Sequence, residues 1–96
     1  MPAYIISMMT VTNPEPYDGY RALAAPAVAK HGGRFLARGG KYEVLEGGFP
    51  GSRVVVVEFE TFDKAKAFYD SPEYRAAREK RLGATAAFNL LVVDGA

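Results

Sequence analysis

The 96 residues include no cysteine and no tryptophan, and histidine occurs once, at His31. Without thiols the chain can build neither a disulfide framework, a thiolate zinc site nor a cysteine nucleophile, and it suits a reducing or an oxidising compartment equally. A single imidazole leaves any transition-metal site to be completed by carboxylates, and no carboxylate cluster with ligand spacing stands out. No metal and no cofactor is therefore assigned; a haem held through His31 alone is the one remaining route. Charge of one sign is also lacking. Twelve Lys/Arg against 11 Asp/Glu leave a net charge of +1, which gives no field to draw the chain to nucleic acid or to an anionic membrane. Long uncharged apolar runs are missing too, so no membrane span is expected. The apolar opening Met1 to Val11 has no basic residue ahead of it and ends at Asn13-Pro14, which fits a first strand better than a signal peptide and makes the cytoplasm the expected location.

With 49% hydrophobic and 24% charged residues, the chain reads as one soluble globular domain over residues 1–96. A domain of this size buries only about two-thirds of its unfolded surface, so a partner subunit would add materially to its stability.

The segment Ala3 to Val11 is rich in β-branched and apolar residues and is closed by a turn, as expected of a strand. Asn13 as cap, Pro14 at the first helical position and Glu15 in the first turn open a helix. Tyr17, Tyr20, Ala24, Ala27 and Val28 would be its buried face, with a kink at Pro26 and a stop at His31-Gly32-Gly33. Arg34–Arg38 and Lys41–Glu46 read as one bent strand with a bulge at Gly39-Gly40. The turn cluster Gly47–Ser52 would join it as a hairpin to Arg53–Glu60, the clearest strand of the chain. Thr61 and Asp63 open a second helix that breaks at Ser71-Pro72 and resumes to about Leu82 with Tyr74, Ala77, Arg78 and Arg81 along one side. Gly83 stops it, and Ala87–Val93 is the last strand.

This order is α+β and ferredoxin-like, βαββαβ, with a four-stranded antiparallel sheet and both helices on one face of it. The other face should then be polar, but the strands are apolar at both parities. Val54 and Val56 oppose Val55, Val57 and Phe59; Tyr4, Ile6 and Met8 oppose Ile5, Met9 and Val11; Phe88, Leu90 and Val92 oppose Leu91 and Val93. The simplest cover for the bare face is the same face of a second copy, so the expected partner is self, in a two-fold homodimer.

Several pieces stand in a characteristic order: His31-Gly32-Gly33, Arg38-Gly39-Gly40, Leu45-Glu46-Gly47, Glu58-Phe59, and Ser71-Pro72-Glu73-Tyr74 followed by Arg81. Together they resemble the family known as domain of unknown function 1330, in the dimeric α/β-barrel superfamily, over about Tyr4 to Val93. The resemblance implies a ferredoxin-like subunit whose sheet packs face to face on a second sheet. It implies no reaction, because the superfamily spans cofactor-independent monooxygenases, dismutase-like haem enzymes, muconolactone isomerase-like enzymes and stress-response proteins.

The candidate site residues each carry two readings. His31 is either a general base at a cleft mouth or a helix C-cap. Glu58 shares parity with Val54 and Val56, so it is either a buried base or one half of an ion pair with an arginine. Arg38, Arg53 and Arg81 either converge on an anionic substrate or pair with Glu46, Glu58 or Glu73. Tyr69, Ser71 and Tyr74 border the helix break, where they could orient a ligand, although an N-cap role alone accounts for Ser71. Ser7 and Asn89 interrupt apolar strands and are expected to satisfy buried hydrogen bonds. The leading expectation is a cytoplasmic homodimer binding a small anionic organic molecule, with any catalysis being cofactor-independent proton transfer. The alternatives are a non-enzymatic dimeric binding or stress-associated module, and a tautomerase using Pro2 after removal of Met1.

Overall fold

In the computed structural model, which describes residues 1–49 and 51–96, β1 (Ala3–Val11) runs through the interior of a four-stranded antiparallel sheet. It pairs with β3 (Arg53–Phe59) on one side and β4 (Thr85–Asp94) on the other, and β2 (Arg34–Arg38) closes the far edge, giving the order β2-β3-β1-β4. The helices are α1 (Pro14–Lys30), α2 (Phe62–Asp70) and α3 (Pro72–Lys80). The ferredoxin-like α+β order expected from the sequence is therefore present, its second helix divided in two.

The division at Ser71 has a local cause. The Ser71 hydroxyl donates to the Phe68 carbonyl at 2.6 Å and accepts from the Tyr74 amide at 3.2 Å, so one side chain ends α2 and begins α3. Pro72 fits the first helical position because no amide donor is needed there. Thr61 caps α2 by accepting from the Lys64 amide at 3.1 Å. Asn13 departs from expectation: it occupies the N-cap of α1 but its side chain makes no cap hydrogen bond. The backbone does the anchoring instead, with the Thr12 and Asn13 amides both donating to the Ala84 carbonyl at 2.9 and 3.1 Å. Helix α1 continues through Pro26, which lies on its exposed side.

Two expectations about the second strand are corrected. The bulge falls between Phe35 and Ala37, not at Gly39-Gly40, and Lys41–Glu46 is not a strand. Gly39, at φ 73°, turns the chain out of the sheet, and β3 begins only at Arg53, so Lys41–Glu46 has no strand to pair with. Tyr42, Val44 and Leu45 consequently stay exposed. Within the Gly47–Ser52 turn cluster, Pro50 lies outside the described residues.

Side-chain parity decides the layers. Ile5, Val57 and Phe59 point to the helical side and pack with Ala24, Ala27 and Val28 of α1, Ala65 and Phe68 of α2, and Tyr74 and Ala77 of α3. The opposite parity forms the other face. Ile6 stands opposite Val56 and Leu91, Met8 opposite Val54 and Asn89, and Tyr4 opposite Glu58 and Val93, with no helix over them. Asn89 is on this face, exposed, with its Nδ2 donating to the Ala87 carbonyl at 2.8 Å, which replaces the buried bond expected for it.

A second bulge, in β4, sets two residues, Ala87 and Phe88, opposite Met9. Ala87 takes φ 50°, a left-handed conformation unfavourable for a residue with a Cβ. Phe88, in phase with Leu90 and Val92, lies on the helical side, edge-on to Tyr20 at 6.3 Å between ring centroids. Because Ala87 is exposed and strained, Ala87→Gly should stabilise the domain by up to about 1 kcal/mol, less whatever glycine adds to the entropy of the unfolded chain. Urea unfolding of the two proteins checks this, and a clear loss of stability would mean that the Ala87 backbone is not strained.

Candidate functional site

Helix α1 packs more closely on α3 than on the sheet, and the space left between its first half and the strands is a cleft of about 50 Å³. Ile5, Met9, Val55, Val57 and Leu90 form its floor, with Tyr17, Tyr20 and Ala24 over them and Phe35 beside them. Its polar lining is Ser7, Arg21, Arg38, Arg53 and the tyrosines. A cavity of about 150 Å³ is needed to take a benzene ring, so this cleft has room to enclose only part of a molecule of that size.

Of the residues picked out from the sequence, the fold brings Arg38, Arg53 and Tyr74 to this cleft. Arg53 is the most constrained. Its guanidinium lies against Gly39, where any Cβ would overlap it, and 5.6 Å from the centre of the Tyr17 ring. Its Nε is buried and has no hydrogen-bond partner among the described residues. Arg38 stacks on Phe35 at 4.2 Å. Stacking uses the faces of these cations and leaves their N–H edges available to an anion.

The ion pairs expected for Arg38, Arg53 and Arg81 do not form: among the described residues none of the three has a carboxylate within salt-bridge distance. Register is the reason. Arg34 stands opposite Glu58 across β2 and β3 and takes that carboxylate at 2.6 Å, while Arg38 and Arg53 turn to the other face, into the cleft. Glu73 is held by Lys30 and His31, each at 3.0 Å.

Behind the cleft stands a chain of hydrogen bonds. Arg81 donates to the Tyr74 hydroxyl at 3.0 Å, and that hydroxyl is 2.7 Å from the Tyr20 hydroxyl. Arg81 itself lies 3.8 Å above the Phe88 ring. Burial, followed by the proximity of Tyr74, pushes the Tyr20 phenol well above its ordinary pKa, so it stays protonated. Tyr69 lies apart, under the Arg78 guanidinium at 4.4 Å and beside a shallow depression with Ala65 and Leu91. Ser71 is buried and occupied by its two capping bonds.

The two candidate bases lie outside the cleft. His31 ends α1, where its Nε2 is 3.0 Å from Glu73 Oε1 and its ring is edge-on to Phe68. Its partner is thus a side chain of α3, in addition to its place at the helix end. Glu58 lies on the uncovered face with Arg34, the ion-pair reading. Pro2 lines a wide depression with Glu58 and Glu60, two carboxylates that would favour a protonated amine there, the reverse of what a proline base needs. Tyr20 and Arg21 were not singled out as site residues. Their signal was helical spacing, since they follow Tyr17 by three and four positions and so share its side of α1. Among the described residues no three His, Asp or Glu side chains gather as a metal site, and no helix is long and apolar enough to cross a membrane.

The chain is thus a ferredoxin-like α+β domain with a cationic, aromatic cleft on its helical side. It belongs to the family described as Domain of unknown function (DUF1330), whose model matches residues 2–96. Among solved structures it is similar to a protein of unknown function from Rhodopseudomonas palustris, with TM-score 0.75 and 19% identity over 99% of this chain and 82% of that one. It is similar also to a dimeric ferredoxin-like protein of unknown function from Thermobifida fusca, with TM-score 0.69 and 18% identity over 99% and 92% of the two chains. A cofactor-independent oxygenase from Streptomyces nogalater matches with TM-score 0.67 and 12% identity over 99% and 93%. A search of curated proteins finds no match.

The corner formed by His31, Lys30 and Glu73 gives a pH prediction. Hydrogen bonds from His31, then from Lys30, hold the Glu73 carboxyl down at about 2 from an ordinary 4.5. A carboxyl lowered by folding stabilises the fold above its unfolded pKa and loses that contribution as pH falls through its folded one. The stability gap between wild type and Glu73→Gln should therefore shrink as the pH falls from 5 and approach zero by pH 2. Urea midpoints across that range measure it, and a gap independent of pH would contradict the assignment.

Proposed function

We propose that the protein is a homodimeric binding protein for small organic anions, with the cleft under α1 as its ligand site and the uncovered sheet face as its self-interface. The observation that carries the ligand reading is Arg53: a cation lining the cleft whose buried Nε has no hydrogen-bond partner, and which has no carboxylate within salt-bridge distance, among the described residues. A buried donor without an acceptor costs free energy, and a carboxylate entering the cleft would supply the acceptor. Arg38, at the same cleft, adds charge, while Arg21 lines it with Asp18 as an ion-pair partner at 3.7 Å.

The open face supports the dimer. Ile6, Met8, Val54, Val56, Leu91 and Val93 form a contiguous apolar surface, with Leu91 and Val93 still 46% and 42% exposed. The dimeric ferredoxin-like protein from Thermobifida fusca is consistent with such a pairing. The reading that the polar residues serve only an interface is weakened by parity, because Arg38 and Arg53 are on the helical side, away from that surface.

For chemistry, the cofactor-independent oxygenase supports only that this fold can carry an enzyme. Proton transfer by His31 or Glu58 gains no support from the geometry, since both are paired away from the cleft. Binding is accordingly the better supported function, and the tautomerase reading is the weakest.

Two experiments test the two halves. Thermal unfolding followed with a panel of small carboxylates should show stabilisation of the wild type, and Arg53→Met should bind the active acid about tenfold to a hundredfold more weakly, the scale of a charged hydrogen bond. A wild type indifferent to every acid would defeat the ligand reading. Light scattering should give a dimer mass for the wild type, and Val56→Asp should be monomeric or unfolded; a folded dimer of that variant would defeat the interface reading.

A further inference from the structure

We infer that the molecule bound in this cleft carries, besides its carboxylate, a carbonyl or hydroxyl oxygen that the Tyr20 phenol recognises, so that the ligand class is the oxo or hydroxy acids. The inference rests on the reading of the cleft as an anion site and goes beyond it in naming a second point of recognition.

The argument is one of hydrogen-bond direction. A guanidinium only donates, so in the contact between Arg81 and Tyr74 the Tyr74 oxygen is the acceptor. Tyr74 is buried, and among the described residues its hydroxyl meets only Arg81 and Tyr20, so the Tyr20 oxygen, 2.7 Å away, is the one acceptor left for the Tyr74 O–H. Tyr20 has thereby accepted a bond and still has its own O–H to give. Among the described residues no side chain or carbonyl other than Tyr74 is hydrogen-bonded to it, and Tyr20 lines the cleft. The chain runs from a cation through two phenols to a free donor, and each link polarises the next, so the last O–H is a stronger donor than an isolated phenol. Its protonated state is secured by burial, which raises its pKa.

Position separates the two recognition points. Arg53 lies beside Tyr17, and Tyr20 follows along α1 with its ring centroid 5.5 Å from that of Tyr17. By register Met9, with Ser7 next on the same side of β1, stands between Arg53 on β3 and Phe88 on β4, the ring against which Tyr20 packs, so the span is apolar but for one hydroxyl and suits a short hydrocarbon linker. Arg81 and Tyr74 act through Tyr20 and are positioning residues.

The test is calorimetric titration of wild type, Tyr20→Phe and Tyr74→Phe with three acids of equal length: pentanoate, 2-oxopentanoate and 4-oxopentanoate. The readout is the ratio of affinities for oxo acid and plain acid, which a general loss of folding or packing does not move. In the wild type at least one oxo acid should bind about two- to tenfold more tightly than pentanoate, the range of a neutral hydrogen bond. Tyr20→Phe should bring that ratio to one, and Tyr74→Phe should reduce it by less. Equal binding of all three acids to the wild type, or a preference that survives in Tyr20→Phe, overturns this inference and leaves the anion site standing. Binding of none of the three overturns both.

Discussion

The structure depends on one constraint: every long strand is apolar at both parities, yet the chain supplies helices for only one face of the sheet. The consequence on the helical side is a core in which Ile5, Val57 and Phe59 are sealed by α1, α2 and α3. On the far side Ile6, Val56 and Leu91 are left as a surface that a small domain does not ordinarily present to water. The two faces therefore have different work to do, and parity allots each polar residue to one or the other.

Arg53 and Glu58 show how this works. They lie on the same strand, five positions apart, and so face opposite ways. Glu58 meets Arg34 on the open side, where the pair bounds the apolar surface. Arg53 faces inward, over Gly39 and beside Tyr17, without a carboxylate. The cleft exists because α1 leans on α3, held there by the tyrosine pair and by Glu73 taking both Lys30 and His31. The charges that fasten the helices together are thus separate from those free to meet a ligand.

Much of this architecture is legible in the chain. The run of valines in β3, the Ser71-Pro72 junction and the glycine pair after His31 each express a local preference that the tertiary structure keeps. Lys41–Glu46 misleads because Tyr42, Val44 and Leu45 carry strand character, while strandhood needs a partner, and the exit at Gly39 removes it. The site was half legible for a similar reason. Arg38, Arg53 and Tyr74 follow from parity and helical spacing. The partners of His31 and Glu58 depend on contacts between distant segments: Glu73 comes 42 residues after His31, and Arg34 reaches Glu58 in a register offset by the bulge at Leu36. No periodicity within one segment encodes such pairings.

The central claim is that ligand and self-association occupy opposite faces of one sheet. The most direct measurement is a nitrogen-proton NMR titration with a small carboxylate, following backbone amides and the arginine Nε–H signals. The account predicts that the Arg53 Nε–H moves strongly, with the amides of Tyr17, Tyr20, Val55 and Val57, while Ile6, Val56 and Leu91 stay still. Shifts confined to the open face, or to the corner of His31 and Glu73, with the Arg53 signal unchanged, would contradict it.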